Sequence, residues 1–288
     1  MTKTVLVTGA DGFAGSWLVD DLITYGYTVK ALVRSSPLKN LKPRTGIEVV
    51  SGDLLDLKSL EHAMKDVDQV FHLAAVSGVE ETRRMPEQAW EVNTRGTLNV
   101  LRAALANNVS KVLVTSTCHV IGSDIYAASK RATEEICSVY ADKIPIVITR
   151  AYNHFGPRQR PEWLIPRIII QALNRKDYIN LGNPNPQRDF TYVSDIVDGY
   201  RLAMEKGRGM YTFCSGVMRP VHQVVDTIID VLNWNGIVVY DQSKYRTSDF
   251  TLHASDFDKA RADLGWKPFV SFENGIKMTI DWYRGRAL

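Results

Sequence analysis

Two groups of residues in this chain have types and spacing that can do chemistry. The first is Tyr126-Ala-Ala-Ser-Lys130, a phenol and an amine four positions apart. On a helix, residues i and i+4 share a face, so the ammonium is expected beside the phenol. A phenol with a pKa of about 10 is a poor base at neutral pH. A neighbouring positive charge favours the phenolate and brings proton transfer towards the working range. Hydroxyls at Thr115, Ser116 and Thr117 precede this pair. The second group is Gly9, Gly12 and Gly15 in TGADGFAGSWL, directly after the apolar run TVLVT. Glycine there permits a tight turn, lets the backbone approach a pyrophosphate and packs the following helix on the strand. The helix N-terminus then faces the phosphates with open N–H groups.

These groups need a scaffold, and the hydrophobic pattern supplies one. Thr4–Thr8 has no polar alternation, as expected of a strand buried on both faces of a parallel sheet. Further strands are expected at Tyr27–Val33, Ile47–Val50, Gln69–Ala74, Lys111–Thr115 and Ile144–Thr149. Helices are expected at Ala14–Tyr25 with Gly26 as C-cap, Leu57–Lys65 capped by Asp56, Pro86–Asn107 and Ile125–Tyr140. This alternation implies right-handed βαβ units in a Rossmann-like, doubly wound α/β sheet.

After Arg150 the texture changes. Proline and arginine thicken at Phe155–Pro166 and Gly182–Arg188, which read as loops. Helices are expected at Val193–Met204, Val221–Leu232 and Asp256–Leu264, then one capped by Ser271 and running to about Tyr283, with a strand at Ile237–Tyr240. The expected organisation is a dinucleotide-binding domain over 1–155, joined by about 189–215. A smaller, interleaved C-terminal α/β lobe for the substrate covers 156–188 and 216–288.

Composition excludes several classes. The 35 basic and 32 acidic residues leave a net charge of +3, too balanced to imply nucleic-acid binding. Cys118, Cys137 and Cys214 are scattered and odd in number, so they read as reduced, buried thiols, and no histidine spacing suggests a metal site. The start has no secretory apolar core, and no apolar run is long enough to span a membrane. A cytoplasmic enzyme is expected.

The G-x-x-G-x-x-G spacing together with Y-x-x-x-K resembles the short-chain dehydrogenase/reductase superfamily. Further segments sharpen this to its extended branch, which acts largely on nucleotide sugars. Gly52-Asp53-Leu54 resembles the adenine-contacting segment, and His72-Leu73-Ala74-Ala75 the end of strand four beside the cofactor. Val92-Asn93-Thr94 with Gly96-Thr97 is similar to the family's helix motif, and Leu264-Gly265-Trp266-Lys267-Pro268 to its C-terminal L-G-W-x-P. Thr115-Ser116-Thr117 before Val120-Ile121-Gly122 resembles the stretch whose last hydroxyl binds the reacting sugar oxygen, here Thr117.

The resemblance implies cofactor contacts from Phe13 and Ala14 in the glycine turn and from Asp53, Leu54, Leu73, Ala74, Ala75, Tyr126 and Lys130. It implies substrate contacts from Thr117, from Asn153 in R-x-x-N-x-x-G-P, from Arg188 in R-D-F-x-x-V-x-D and from Arg246 near Asp249, with Ser77 as a further pocket residue. Arginine suits such positions because its planar fork meets two diphosphate oxygens at once. Asp195, Gly265 and Trp266 read as structural. A homodimer, paired through helices near 90–107 and 125–141, is also implied.

Strand two ends in Val33-Arg34-Ser35 with no acid, which favours NADP(H) while leaving NAD(H) open. Two departures stand out. Only Ser123-Asp124-Ile125 separate Gly122 from Tyr126, where relatives carry a loop of about fifteen or more residues that helps shape the sugar pocket, so Thr115 or Ser116 could stand in for Thr117. Cys118-His119 replaces the acid pair of 4,6-dehydratases, which disfavours dehydration and leaves His119 as a polar loop residue. The expected activity is hydride transfer at C4 of a nucleoside diphosphate hexose, by 4-epimerisation or 4-keto reduction. The alternatives are a reductase of non-nucleotide ketones, similar to dihydroflavonol reductases, or a non-catalytic dinucleotide-binding protein.

Overall fold

The structure, a computed structural model, describes residues 2–34, 37–42, 44–174, 177–245 and 257–286. It opens with β1 (Thr4–Thr8), α1 (Phe13–Thr24), β2 (Thr28–Val33), β3 (Ile47–Ser51), α2 (Leu57–Ala63) and β4 (Gln69–His72). There follow α3 (Val79–Arg84), α4 (Pro86–Ala106), β5 (Lys111–Thr117), α5 (Ile125–Tyr140), β6 (Ile146–Ala151), β7 (Asn153–Phe155), α6 (Leu164–Asn174) and β8 (Tyr178–Leu181). The chain continues through β9 (Gln187–Tyr192), α7 (Val193–Lys206), β10 (Gly209–Phe213), β11 (Met218–Pro220), α8 (Val221–Leu232), β12 (Ile237–Tyr240), α9 (Asp258–Leu264) and α10 (Phe272–Arg284). These elements divide between two compact units, one of Met1–Ala151, Val197–Phe213 and Asp258–Trp266, the other of Tyr152–Ile196, Cys214–Phe257 and Lys267–Leu288.

The first unit holds a seven-stranded sheet in the order β10-β6-β5-β4-β1-β2-β3, parallel throughout. The chain winds outward from β1 through β2 to β3, then returns to β4 and winds the other way. The switch therefore falls between β1 and β4, where Thr8 lies in register with His72. In such sheets the carboxyl ends of the strands at the switch open a crevice for ligands. Val5, Leu6, Val7 and Thr8 are all buried, which explains the unalternating apolar run.

The outermost strand, β10, was not expected from the sequence. It adds parallel to β6 through Gly209–Phe213, after the chain has passed through the second unit. Its Phe213 meets Tyr200 at 5.9 Å and the fully buried Trp266 at 4.8 Å between ring centroids. These contacts, with the Tyr211 hydroxyl donating to Asp263 at 3.1 Å, place Asp258–Trp266 with the first unit rather than in the C-terminal lobe. Residues 189–196, expected as part of the joining segment, cluster with the second unit.

The second unit contains a three-stranded sheet, β11-β9-β7, and the pair β12-β8. Phe155 meets Phe190, Tyr192 and Phe272 edge-to-face, and Phe190 lies tilted on Phe272, with centroids 5.3 to 6.4 Å apart. Asp189 is buried and accepts from the Ser215 backbone at 2.8 Å and its hydroxyl at 2.9 Å, while Asp195 accepts from the N–H groups of Phe269 and Val270. Of the expected loops, Phe155–Pro166 is shortened by α6, which takes Pro166 into its first turn, where no hydrogen bond is lost.

Candidate active site

The glycine turn is shaped by close approaches. Gly9 has φ +67°, and a Cβ on it would stand 2.9 Å from the Ala74 backbone. The Gly12 N–H donates to the Gly9 carbonyl at 2.9 Å, and a Cβ on Gly15 would fall 2.0 Å from that same oxygen. No side chain caps α1 at Gly12, and the N-terminus of a helix suits an anion. A pyrophosphate fits this cradle. Asp11, between the glycines, accepts from the N–H groups of Lys39, Asn40 and Leu41 at 2.8 to 2.9 Å and so fixes the segment beyond β2. The sequence reading gave Asp11 no role; an acid among turn glycines was its only signal.

Among the other expected cofactor residues, Arg34 is exposed and Ser35 lies outside the described residues. Asp53 turns its carboxylate back to the Leu55 N–H at 2.9 Å. Leu54 is buried, in the space that a Cβ on Gly96 would enter at 3.0 Å. Leu73, Ala74 and Ala75 follow β4 and are partly buried.

His72, at the end of β4, has both ring nitrogens engaged. Thr8 Oγ1 accepts from the N–H groups of Leu73 and Ala74, both at 3.1 Å, so its own proton goes to His72 Nδ1, 2.8 Å away. Thr97 donates to the Asn93 carbonyl and therefore accepts from His72 Nε2 at 3.1 Å. The network fixes the neutral Nε2–H tautomer. Burial, with the nearby Lys130 charge, pushes the imidazole down to about 3. Its role is to hold the end of β4 beside the glycine turn.

The three hydroxyls at the end of β5 are not equivalent. Thr115 donates to the His72 carbonyl at 3.2 Å, and Ser116 donates to Glu134 Oε1 at 2.5 Å. Glu134 also pairs with Arg150, which is thereby held within the first unit. Thr117 Oγ1 accepts from the His119 N–H at 3.1 Å, and its hydroxyl lies near enough to the Tyr126 phenol to lower the phenol's pKa. Of the three, Thr117 is the one brought to Tyr126.

Burial pushes the Tyr126 phenol up to about 12; the Thr117 hydroxyl acts downward, and the charges of Cys118 and Asp124 act upward. Lys130 turns its Nζ to the Thr115 carbonyl at 2.8 Å. Burial brings its ammonium down to about 8. The helix carrying both residues is tied to α4 by Asn93, which bonds Ser129 at 3.0 Å and both backbone groups of Val76, next to the expected pocket residue Ser77. In the second unit, Asn153 lies opposite Phe190 on neighbouring strands, and Arg188 lies opposite Arg219. Arg246 falls outside the described residues.

The sequence profile of the family described as GDP-mannose 4,6 dehydratase matches residues 6–279. The chain belongs to this family, within the nucleotide-sugar epimerase, 4,6-dehydratase and decarboxylase group of extended short-chain dehydrogenase/reductases. A UDP-N-acetyl-alpha-D-glucosaminuronate decarboxylase from Bacillus cytotoxicus is 30% identical, covering 99% of this chain and 98% of that protein. The UDP-glucose 4-epimerase of Thermotoga maritima, solved with UDP-glucose, superposes with TM-score 0.90 at 27% identity over 98% of this chain and 99% of that one. That of Thermus thermophilus, in complex with NAD, gives TM-score 0.89 at 28% identity over 99% and 100%.

The connection from β5 to α5 is short. The alignment to the decarboxylase runs over 320 positions, more than the 288 residues here, so that relative carries segments this chain lacks. After Thr117 a single 3₁₀ turn over Cys118–Ile121 leads almost directly into α5. His119 is no simple loop residue: its Nε2 is 2.6 Å from Asp124 Oδ2, and its ring stacks on Tyr126 at 6.0 Å and 24°. Asp124 is also the N-cap of α5, accepting from the Ala127 N–H at 3.0 Å. Neither role was foreseen, because residues in a loop show no periodicity.

Proposed function

We propose that this protein is a nicotinamide-dependent nucleotide-sugar oxidoreductase acting at C4 of a nucleoside diphosphate hexose. The observation that carries the reading is the approach of the Thr117 hydroxyl, at the end of β5, to the Tyr126 phenol in the first turn of α5, with Lys130 buried on the same helix. In this reading Tyr126 exchanges a proton with the C4 oxygen, Thr117 donates a hydrogen bond to it, and Lys130 binds the cofactor ribose. The glycine cradle would hold the pyrophosphate, and the nicotinamide supplies or accepts the hydride when bound. Asn153, Arg188 and Arg246 are assigned to the substrate diphosphate, and Ser77 to the sugar pocket.

The 4-keto reduction is favoured by the phenol itself. Burial keeps Tyr126 protonated at neutral pH, ready to donate to a developing alkoxide. Exposed Arg34 at the end of β2, with no acid there, supports NADPH as the hydride donor. The 4-epimerisation remains the second reading, supported by the likeness to UDP-glucose 4-epimerases, one of them solved with NAD. We assign the protein to the cytoplasm, consistent with Cys118, Cys137 and Cys214 forming no disulfide, and to a homodimer paired through α4 and α5, on which Trp90 and Val139 are exposed.

The test is to denature purified protein and identify any released nucleotide by chromatography with mass detection, then to compare NADPH and NADH binding. Empty protein that prefers NADPH and reduces a 4-keto sugar nucleotide supports reduction. Retained NAD with interconversion of C4 epimers supports epimerisation. Turnover of neither class of sugar nucleotide would sink the proposal.

A further inference from the structure

We propose that His119 and Asp124 form a clasp that holds Tyr126 against Thr117 across the shortened connection between β5 and α5. The inference rests on the reading of Tyr126 as the proton-transfer residue and assigns His119 and Asp124 as positioning residues.

The bonds run in a chain from β5 to α5. Thr117 Oγ1 accepts from the His119 N–H at 3.1 Å, His119 Nε2 bonds Asp124 Oδ2 at 2.6 Å, and Asp124 Oδ1 caps α5 at the Ala127 N–H at 3.0 Å. Tyr126 stands in the first turn of that helix with its ring stacked on His119 and its phenol near the Thr117 hydroxyl. Asp124 therefore does two jobs with two oxygens. One starts the helix that carries the phenol; the other binds the turn that carries the threonine. Because a carboxylate only accepts, His119 donates from Nε2, and its ring face is left to lie on Tyr126. Hydrogen bonds to Asp124 hold its carboxyl below the usual range, so the accepting form persists through neutral pH.

The neighbouring residues are fitted to this pair. A Cβ on Gly122 would stand 2.7 Å from His119 Nε2 and 3.0 Å from Asp124 Oδ2, so glycine is the residue that leaves room for the bond. Arg131, one turn further along α5, donates to the carbonyls of Val120 and of Gly122, tying the 3₁₀ turn to the helix a second time. A long loop could be pulled into place by many contacts. With three residues between Gly122 and Tyr126, a few strong ones must set the position of the phenol.

Four proteins test this: the wild type, His119→Phe, His119→Gln and Asp124→Ser. Phenylalanine keeps a ring on Tyr126 but cannot bond Asp124. Glutamine can still donate to Asp124. Serine keeps a helix cap but is too short to reach His119. A displaced reacting group can cost on the order of 10²-fold in rate, so kcat should fall about 10- to 100-fold in His119→Phe and Asp124→Ser. KM should stay within about threefold, and His119→Gln should restore most of kcat.

A second readout needs no substrate. In protein labelled at tyrosine Cζ, the Tyr126 resonance is identified by its loss in Tyr126→Phe. It should move in His119→Phe and Asp124→Ser and stay near the wild-type position in His119→Gln. Should His119→Phe fail to fold, Asp124→Ser carries the same expectation. An unmoved resonance in the folded broken-clasp variants would overturn the proposal. So would a His119→Gln enzyme as slow as His119→Phe, which would make the imidazole itself a proton-transfer group. If the wild type turns over no sugar nucleotide, the proposed function fails, while the resonance still decides the clasp.

Discussion

At Tyr126 burial and the neighbouring Thr117 hydroxyl act in opposite directions on one phenol, and burial wins. In the oxidising direction the phenolate is the base, so the rate should rise with pH towards the phenol's pKa. Thr117→Val removes the hydroxyl that favours the phenolate and should move that limb to higher pH; a pH–rate profile checks the sign. It should also lower kcat about 10²- to 10³-fold, the scale for loss of one donor to a developing oxyanion. His72 gives a stability prediction. Its pKa falls from 6.5 to about 3 on folding, so its contribution is complete above 6.5 and is lost as pH drops towards 3. Urea unfolding should show the wild type losing more stability between pH 6.5 and 4 than His72→Gln, and equal slopes would refute the assignment. The types of Tyr126, Lys130 and Thr117 were legible in the sequence. The direction of the Lys130 side chain was not, because a shared helix face allows contact without choosing among acceptors.

At the scale of elements, the glycine turn separates crowding from backbone strain. Gly15→Ala would drive a Cβ into the Gly9 carbonyl at 2.0 Å, so the turn must open. This variant should lose dinucleotide binding by calorimetry and unfold earlier than wild type. Gly26→Ala meets nothing within 4 Å but must adopt φ +83°, so its cost should be only about 1 kcal/mol, with binding unchanged. A Gly15→Ala protein that binds dinucleotide normally would show that the cradle is not the site. α5, α8 and β12 fall where periodicity and capping residues put them. β7, β8, β9 and β11 escaped notice because they are short and sit among prolines and arginines that read as loop.

For the whole molecule, the consequential feature is the return of the chain to the first unit as β10 and again as Asp258–Trp266. Trp266 is 1% exposed and packs on Phe213, so Trp266→Ala should cost about 3–5 kcal/mol. Denaturant melts monitored at β-sheet wavelengths should report that loss in the first unit; a change below about 1 kcal/mol would show that the late segment is not part of its core.

By itself the sequence determined the alternation of strand and helix, the glycine cradle and the placement of Tyr126 and Lys130 on one helix. Each is a local pattern written by burial periodicity or by the few residue types that a given backbone or chemistry accepts. Tertiary structure decided which hydroxyl meets Tyr126, where Lys130 points, that His119 and Asp124 bond across the short connection, and that Gly209–Phe213 completes the sheet. Those outcomes depend on partners distant in sequence or on side-chain directions within a loop, and neither leaves a period to read.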